Sequence, residues 1–177
     1  MSIKKEEEFK VQAVIRAAEA MALSARTAPK GRGMDLLEIA VISGDTIEKL
    51  SSKMKEIGER ESHQTFLRDG ENIKSAQAIL LIGTRIQAVG LKYCSFCGFP
   101  NCAEAEKAGA VCALNAGDLG IAVGSAAALA GNMHIDNRVM YSVGQASLEL
   151  GLLSKEVKIA FGIPLSVSGK NPFFDRK

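Results

Sequence analysis

The chain has 177 residues, 47% of them apolar, and a formal charge of +2 spread over interleaved acids and bases. That length and apolar share predict one domain, 1–177, with a large core. The charge balance excludes both the basic stripe that nucleic acid selects and the polybasic cluster of a membrane anchor. No apolar run is expected to approach the twenty or so residues of a spanning helix, the most apolar being Gly120 to Ala130. The opening Met1-Ser2-Ile3-Lys4-Lys5 leads into Glu6-Glu7-Glu8 rather than an apolar signal segment, which predicts a cytoplasmic protein.

Taken in order, the first element is a helix from Glu6 to about Arg26. Phe9, Val11, Val14, Ile15, Ala18, Met21, Ala22 and Ala25 recur at helical spacing, with Glu and Lys between them. Pro29, Gly31 and Gly33 end it. Leu36 to Ile42 is predicted as a strand buried on both faces, since its apolar run hardly alternates. Ser43-Gly44-Asp45 turns the chain, and Asp45 or Thr46 is expected to cap a helix from Ile47 to about Glu61. Ser62 to Asp69 suggests a further helix, separated by Gly70-Glu71-Asn72 from a strand over Ala76 to Ile82.

After that strand comes the stretch that carries the chemistry. Cys94, Cys97 and Cys102 lie in Cys-Ser-Phe-Cys-Gly-Phe-Pro-Asn-Cys, and Cys112 follows nine residues later. These are the 4 cysteines of the chain. Short loops between thiolates return the chain to one small region, so the segment 90–115 reads as a metal-binding module. Three chemistries compete. Disulfides suit an oxidising compartment, which the N-terminus does not suggest. Structural zinc usually pairs two CxxC-type knuckles across a longer loop, whereas this set has one CxxC followed by spacings of four and nine. An iron–sulfur cluster fits the irregular spacing best. Gly98 permits a crowded backbone beside sulfide and Pro100 stiffens the next turn, while Phe96 and Phe99 either shield the centre or merely pack the loop.

Beyond it, a short helix is expected from Cys102 to Gly109, a small-residue helix from Ala116 to about Met133, and a helix from Asn137 to Leu150 capped by Gly151. A third strand covers Val157 to Phe161. From Gly162 onward the tail has no period and two prolines, so it is expected to be disordered or laid across a partner.

The form Cys-x2-Cys-Gly-x3-Cys, followed by an Ala/Glu-rich segment and a last Cys, resembles the small 4Fe-4S modules of electron-transfer subunits such as those of Rnf-type complexes. Most of the chain is similar to the flavin-binding nitroreductase fold, an α/β sheet flanked by helices. The similarity rests on the helix, Ala-Pro loop, strand and helix over Ala17 to Arg60, on the small-residue helix opened by Asp118, and on Ala160-Phe161-Gly162-Ile163-Pro164 before a basic tail. The chain also resembles the bacterial and archaeal "ferredoxin domain-containing" proteins in its cysteine run, in Asp136 to Tyr141 and in Gly169 to Arg176.

These resemblances imply an iron–sulfur redox protein, with a 4Fe-4S cluster on Cys94, Cys97, Cys102 and Cys112, and FMN at the interface of a homodimer. An FMN phosphate needs cations and backbone donors, and Arg26, Lys30 and Arg32 lie in a glycine-rich loop able to present both. Lys170 and Arg176 would complete that set, with Gly162 beside it. The alternative for the loop is a solvated basic segment favoured by the adjacent helix end. His63, His134, Tyr93 and Tyr141 have no catalytic setting in the sequence, no P-loop pattern is present, and Glu104 and Glu106 should face apart on a helix. The expected activity is electron transfer or flavin-assisted reduction of a small molecule. A non-catalytic binding module stabilised by zinc or a cluster is the other class that fits.

Overall fold

The computed structural model describes residues 2–174. Its centre is an antiparallel sheet of four strands in the order β1-β2-β4-β3, with β1 at Leu37–Ile42, β2 at Ala78–Arg85, β3 at Asp136–Asn137 and β4 at Val157–Ser166. Strand β2 alternates Ala78, Leu80 and Ile82 on one face with Ile79 and Leu81 on the other, all buried. Apolar residues at both alternations force a layer of helices onto each face.

One layer is α1 (Glu6–Thr27) with α5 (Ala113–Asn132), and its core joins Val14, Ala18 and Met21 to Leu119, Ala122 and Leu80. The other is α2 (Asp45–Arg60), α3 (Gln64–Asn72) and α6 (Tyr141–Glu149), which bury Leu50, Met54, Phe66 and Val143 against Ile79 and Leu81. The expected α/β class with helices flanking a sheet is the one observed.

Several local expectations are corrected. β1 is an edge strand and buries only Leu37, because α1 covers it incompletely; the strand buried on both faces is β2. No side chain of Asp45 or Thr46 caps α2, whose N-cap is Gly44 at φ +59°. Gly70-Glu71-Asn72 falls inside α3, where Gly70 lets the helix lie close to α2 around Met54. Asn137 to Met140 is not helical: Asn137 pairs with Leu165, and Met140 exchanges both backbone hydrogen bonds with Gly162.

The last strand therefore runs on to Ser166. Pro164 stands opposite Ile79 of β2, and on the β3 side it lies between the rungs at Gly162–Met140 and Leu165–Asn137. Nor is the tail loose as far as Phe174. Phe173 is buried in the second core, its carbonyl accepts from Arg138, and Asn171 donates to Asp136 while accepting from the Phe173 N–H. Gly151 does end α6 with the expected left-handed φ, +67°.

One helix among the described residues, α5, is long and apolar enough to cross a membrane, contrary to the expectation that no segment would be. Its apolar character comes from Ala and from Leu114, Leu119, Ile121, Val123 and Leu129, and 33% of its most apolar stretch is buried in this fold.

Candidate metal centre

At the end of the sheet where β2 stops, the chain runs from Ile86 to Asn101 without helix or strand. There Ser95 takes φ +66° and Gly98 φ +84°, and the Gly98 N–H donates to the Ser95 carbonyl at 3.0 Å. This tight turn folds Cys94 and Cys97 back toward each other. A Cβ on Gly98 would meet nothing, so the glycine is needed for its left-handed backbone and not for space.

Asn101 then caps the short helix α4 (Cys102–Lys107), its Oδ1 accepting from the Glu104 N–H at 3.0 Å. Gly109, at φ +66°, ends that helix, and the chain reaches Cys112, the N-cap of α5. Each cysteine thus sits at a turn or a helix start, where the backbone changes direction.

The four thiols are free, half-buried, and line one cavity of about 110 Å³ together with Phe99, Pro100 and Asn101. Cys97, Cys102 and Cys112 also border a neighbouring recess of about 350 Å³ walled by Ile86, Ala105 and Ala110. Among the described residues, no three His, Cys, Asp or Glu side chains gather closely enough to hold a single metal ion. Four thiols on one cavity are a donor set that suits soft-metal chemistry, zinc and iron–sulfur alike.

The amino end of the 20-residue helix α5 adds a favourable potential for an anionic centre held at Cys112. Phe99 is half-buried in the cavity wall, whereas Phe96 is 75% exposed and Tyr93 98% exposed at its rim.

The residues expected to bind a flavin are placed differently from one another. Both Asp35 oxygens lie 2.7 Å from Arg26 Nη1, which also donates to the Leu37 carbonyl. Although burial acts against it, Asp35 is held below its ordinary value by the Arg26 hydrogen bonds, the Leu37 N–H and the charges of Arg26 and Lys30. Lys30 folds back onto the Arg26 and Ala28 carbonyls and so closes the end of α1. Arg32, at φ +55°, reaches the Val89 and Gly90 carbonyls of the loop that leads to the cysteines.

Gly162 lies inside β4 beneath α6, where a Cβ would collide with Val143. Lys170 belongs to the docked tail, and Arg176 lies outside the described residues. The structure thus gathers the cysteines but commits Arg26, Lys30 and Arg32 to Asp35 and to backbone carbonyls. Of the remaining candidates, His63 lies 3.1 Å from the Tyr141 hydroxyl, and neither histidine lines the cysteine cavity. Glu104 accepts from Lys107, away from Glu106, which borders the recess.

Sequence reasoning missed the polar groups that seat the cysteine segment. Asn115 Nδ2 donates to Thr84 Oγ1 at 3.1 Å, and Asp118 Oδ2 accepts from the Gly31 N–H at 2.9 Å. The signal was present: an Asn and an Asp in the first turns of a helix otherwise built, Ser125 and the terminal Asn132 apart, from Ala, Gly and aliphatic residues.

Comparison with known proteins agrees with this picture. The profile of a family described as "uncharacterized protein containing a ferredoxin domain (DUF2148)" matches residues 108–176, a span that includes Cys112 but not the other three cysteines. A protein of Archaeoglobus fulgidus, itself described as uncharacterized, is 43% identical over 97% of this chain and 96% of its own length. Among solved structures, nitroreductases with bound FMN from Bacteroides fragilis and Desulfitobacterium hafniense superpose with TM-scores of 0.61 and 0.60. They are 11% and 12% identical; the matches cover 92% and 96% of this chain and 81% of each neighbour. A putative nitroreductase in complex with FMN from Desulfovibrio desulfuricans gives 0.59 at 15% identity, covering 92% of this chain and 78% of that one. The fold is nitroreductase-like.

Proposed function

This chain belongs to the family of uncharacterized proteins containing a ferredoxin domain, and on that premise we propose that it is an iron–sulfur redox protein with a 4Fe-4S cluster on Cys94, Cys97, Cys102 and Cys112. The observation that carries the reading is the convergence of all four thiols on one cavity. When bound, such a cluster exchanges one electron at a time. The chain's own part is to supply the four thiolates and to shape the turn at Ser95 and Gly98 around them. It also holds Cys112 at the positive end of α5 and keeps water from one side with Phe99.

The whole of 1–177 is read as one domain with 90–115 as its metal-binding segment. The second copy of a homodimer is placed on the outer face of α5. There Ala113, Gly117, Gly120, Gly124, Ala128 and Gly131 form an exposed stripe of small residues, and Ile121 beside them is 48% exposed. FMN between two copies is a second reading, supported by the fold; because the basic loop is already internally paired, no catalytic step is assigned to it.

Anaerobic reconstitution of the full chain with iron and sulfide is expected to give brown protein with about four irons per chain. Cys97→Ser should bleach that chromophore, while release of FMN on heating would add the flavin. Colourless protein carrying zinc, or iron content unchanged in Cys97→Ser, would overturn the assignment in favour of a non-catalytic binding module.

A further inference from the structure

Helix α5 has little of its own to fix its position. Its inner face is Leu119, Ala122, Val123, Ala126 and Ala130, and side chains so small make shallow ridges that resist sliding or rotation weakly. Yet Cys112 caps this helix, so any slip of α5 moves one of the four thiols against the other three. Polar contacts stand where ridges are lacking, among them the Gln87 N–H donating to Asn115 Oδ1 at 3.5 Å. Asn115 meets Thr84 on β2, Asp118 meets the Gly31 N–H, and Ser125 meets Ser24 on α1 with hydroxyl oxygens 2.8 Å apart.

Asn115 is the one that matters for the thiol. It lies three residues past Cys112, so it shares that side of the first turn, and it is 2% exposed. Its partner Thr84 is fully buried at the end of β2, just before the loop that carries Cys94, Cys97 and Cys102. The Thr84 hydroxyl donates onward to the Arg85 carbonyl at 3.1 Å. A leucine at 115 would satisfy the core at lower desolvation cost. A buried amide in that place instead specifies register, as single polar residues do between helices.

We propose that Asn115, through Thr84, is a positioning residue for Cys112: it locks the amino end of α5 to the end of β2 and so fixes the fourth thiolate relative to the other three. The inference rests on the cluster reading for its purpose, but not for its geometry.

The test uses the full chain, reconstituted with iron and sulfide, and four variants. Asn115→Leu and Thr84→Val should retain a cooperative thermal transition, lose iron to a chelator about tenfold faster than the parent, and show an altered electron paramagnetic resonance signal. Thr84→Ser, which keeps the hydroxyl, should behave as the parent, as should Ser125→Ala, whose contact with Ser24 lies more than three turns of α5 from Cys112 and holds α1 rather than the end of β2. Parent-like chelation and resonance in both Asn115→Leu and Thr84→Val would overturn the proposal. If Asn115→Leu does not fold, the Thr84→Val and Thr84→Ser pair decides. Should the parent itself bind no iron, the cluster reading falls, and alkylation mapped by mass spectrometry decides the positioning role. Faster labelling of Cys112 but not Cys94 in Asn115→Leu supports it, and equal labelling overturns it.

Discussion

Asp35 determines what the basic loop can do. Three cations within seven residues read in sequence as a phosphate site, yet the nearest anion is built in: Asp35 takes the Arg26 guanidinium, and the remaining heads turn to carbonyls. Because the folded pKa of Asp35 is lowered, its contribution to stability is present above the ordinary carboxylate value of about 3.9 and lost as pH falls through the folded value. Asp35→Asn should therefore be less stable than the parent near neutrality, by no more than about 1 kcal/mol because the pair is exposed. The gap should close in strong acid. Urea midpoints measured across that range check this, and a gap that persists to the lowest pH would refute it. The cysteines were legible because ligand spacing is local. The pairing of Arg26 with Asp35 was not, because nothing in composition says which way a long side chain folds.

At the scale of elements, the contact of α6 with β4 is made by absent side chains. A Cβ on Gly144 would overlap the Ala160 carbonyl, and one on Gly162 would overlap Val143. Backbone cannot step aside as a flexible side chain can, so Gly144→Ala should cost about 3 kcal/mol, the upper part of the usual overpacking range. Chemical denaturation would show it, and a loss below about 0.5 kcal/mol would mean that α6 shifts freely. Close packing of this kind also explains which elements could be read. The helix α1 was legible from its stripe and was found within one residue of expectation, because amphipathic period is a local property. Met140, by contrast, pairs with Gly162 across 22 residues of chain, so a helix-like period from Asn137 onward was overridden by a sheet edge. The same distance hid the length of β4, whose Gly162 and Pro164 suggested a loop until its neighbours were known.

For the whole molecule the open question of physical design is the outer face of α5. Helix-interior glycine costs roughly 1 kcal/mol against alanine. Gly117, Gly120 and Gly124 nonetheless sit on an exposed helix face where a Cβ would meet nothing among the described residues. The chain's own packing gives no reason for them, whereas close approach of a second helix does. The two possibilities predict different outcomes for one substitution. If the chain acts alone, Gly124→Ala should raise the unfolding midpoint by a stabilisation of up to about 1 kcal/mol and leave its sedimentation unchanged. If two copies meet at this stripe, the added methyls face each other across the contact. Sedimentation velocity should then show a dimer in the parent, and Gly124→Ala should dissociate at higher concentration than the parent does, even as the separated chain gains helix stability. We expect the second result, since a stripe of glycine on an exposed face is otherwise a standing cost that any alanine would remove.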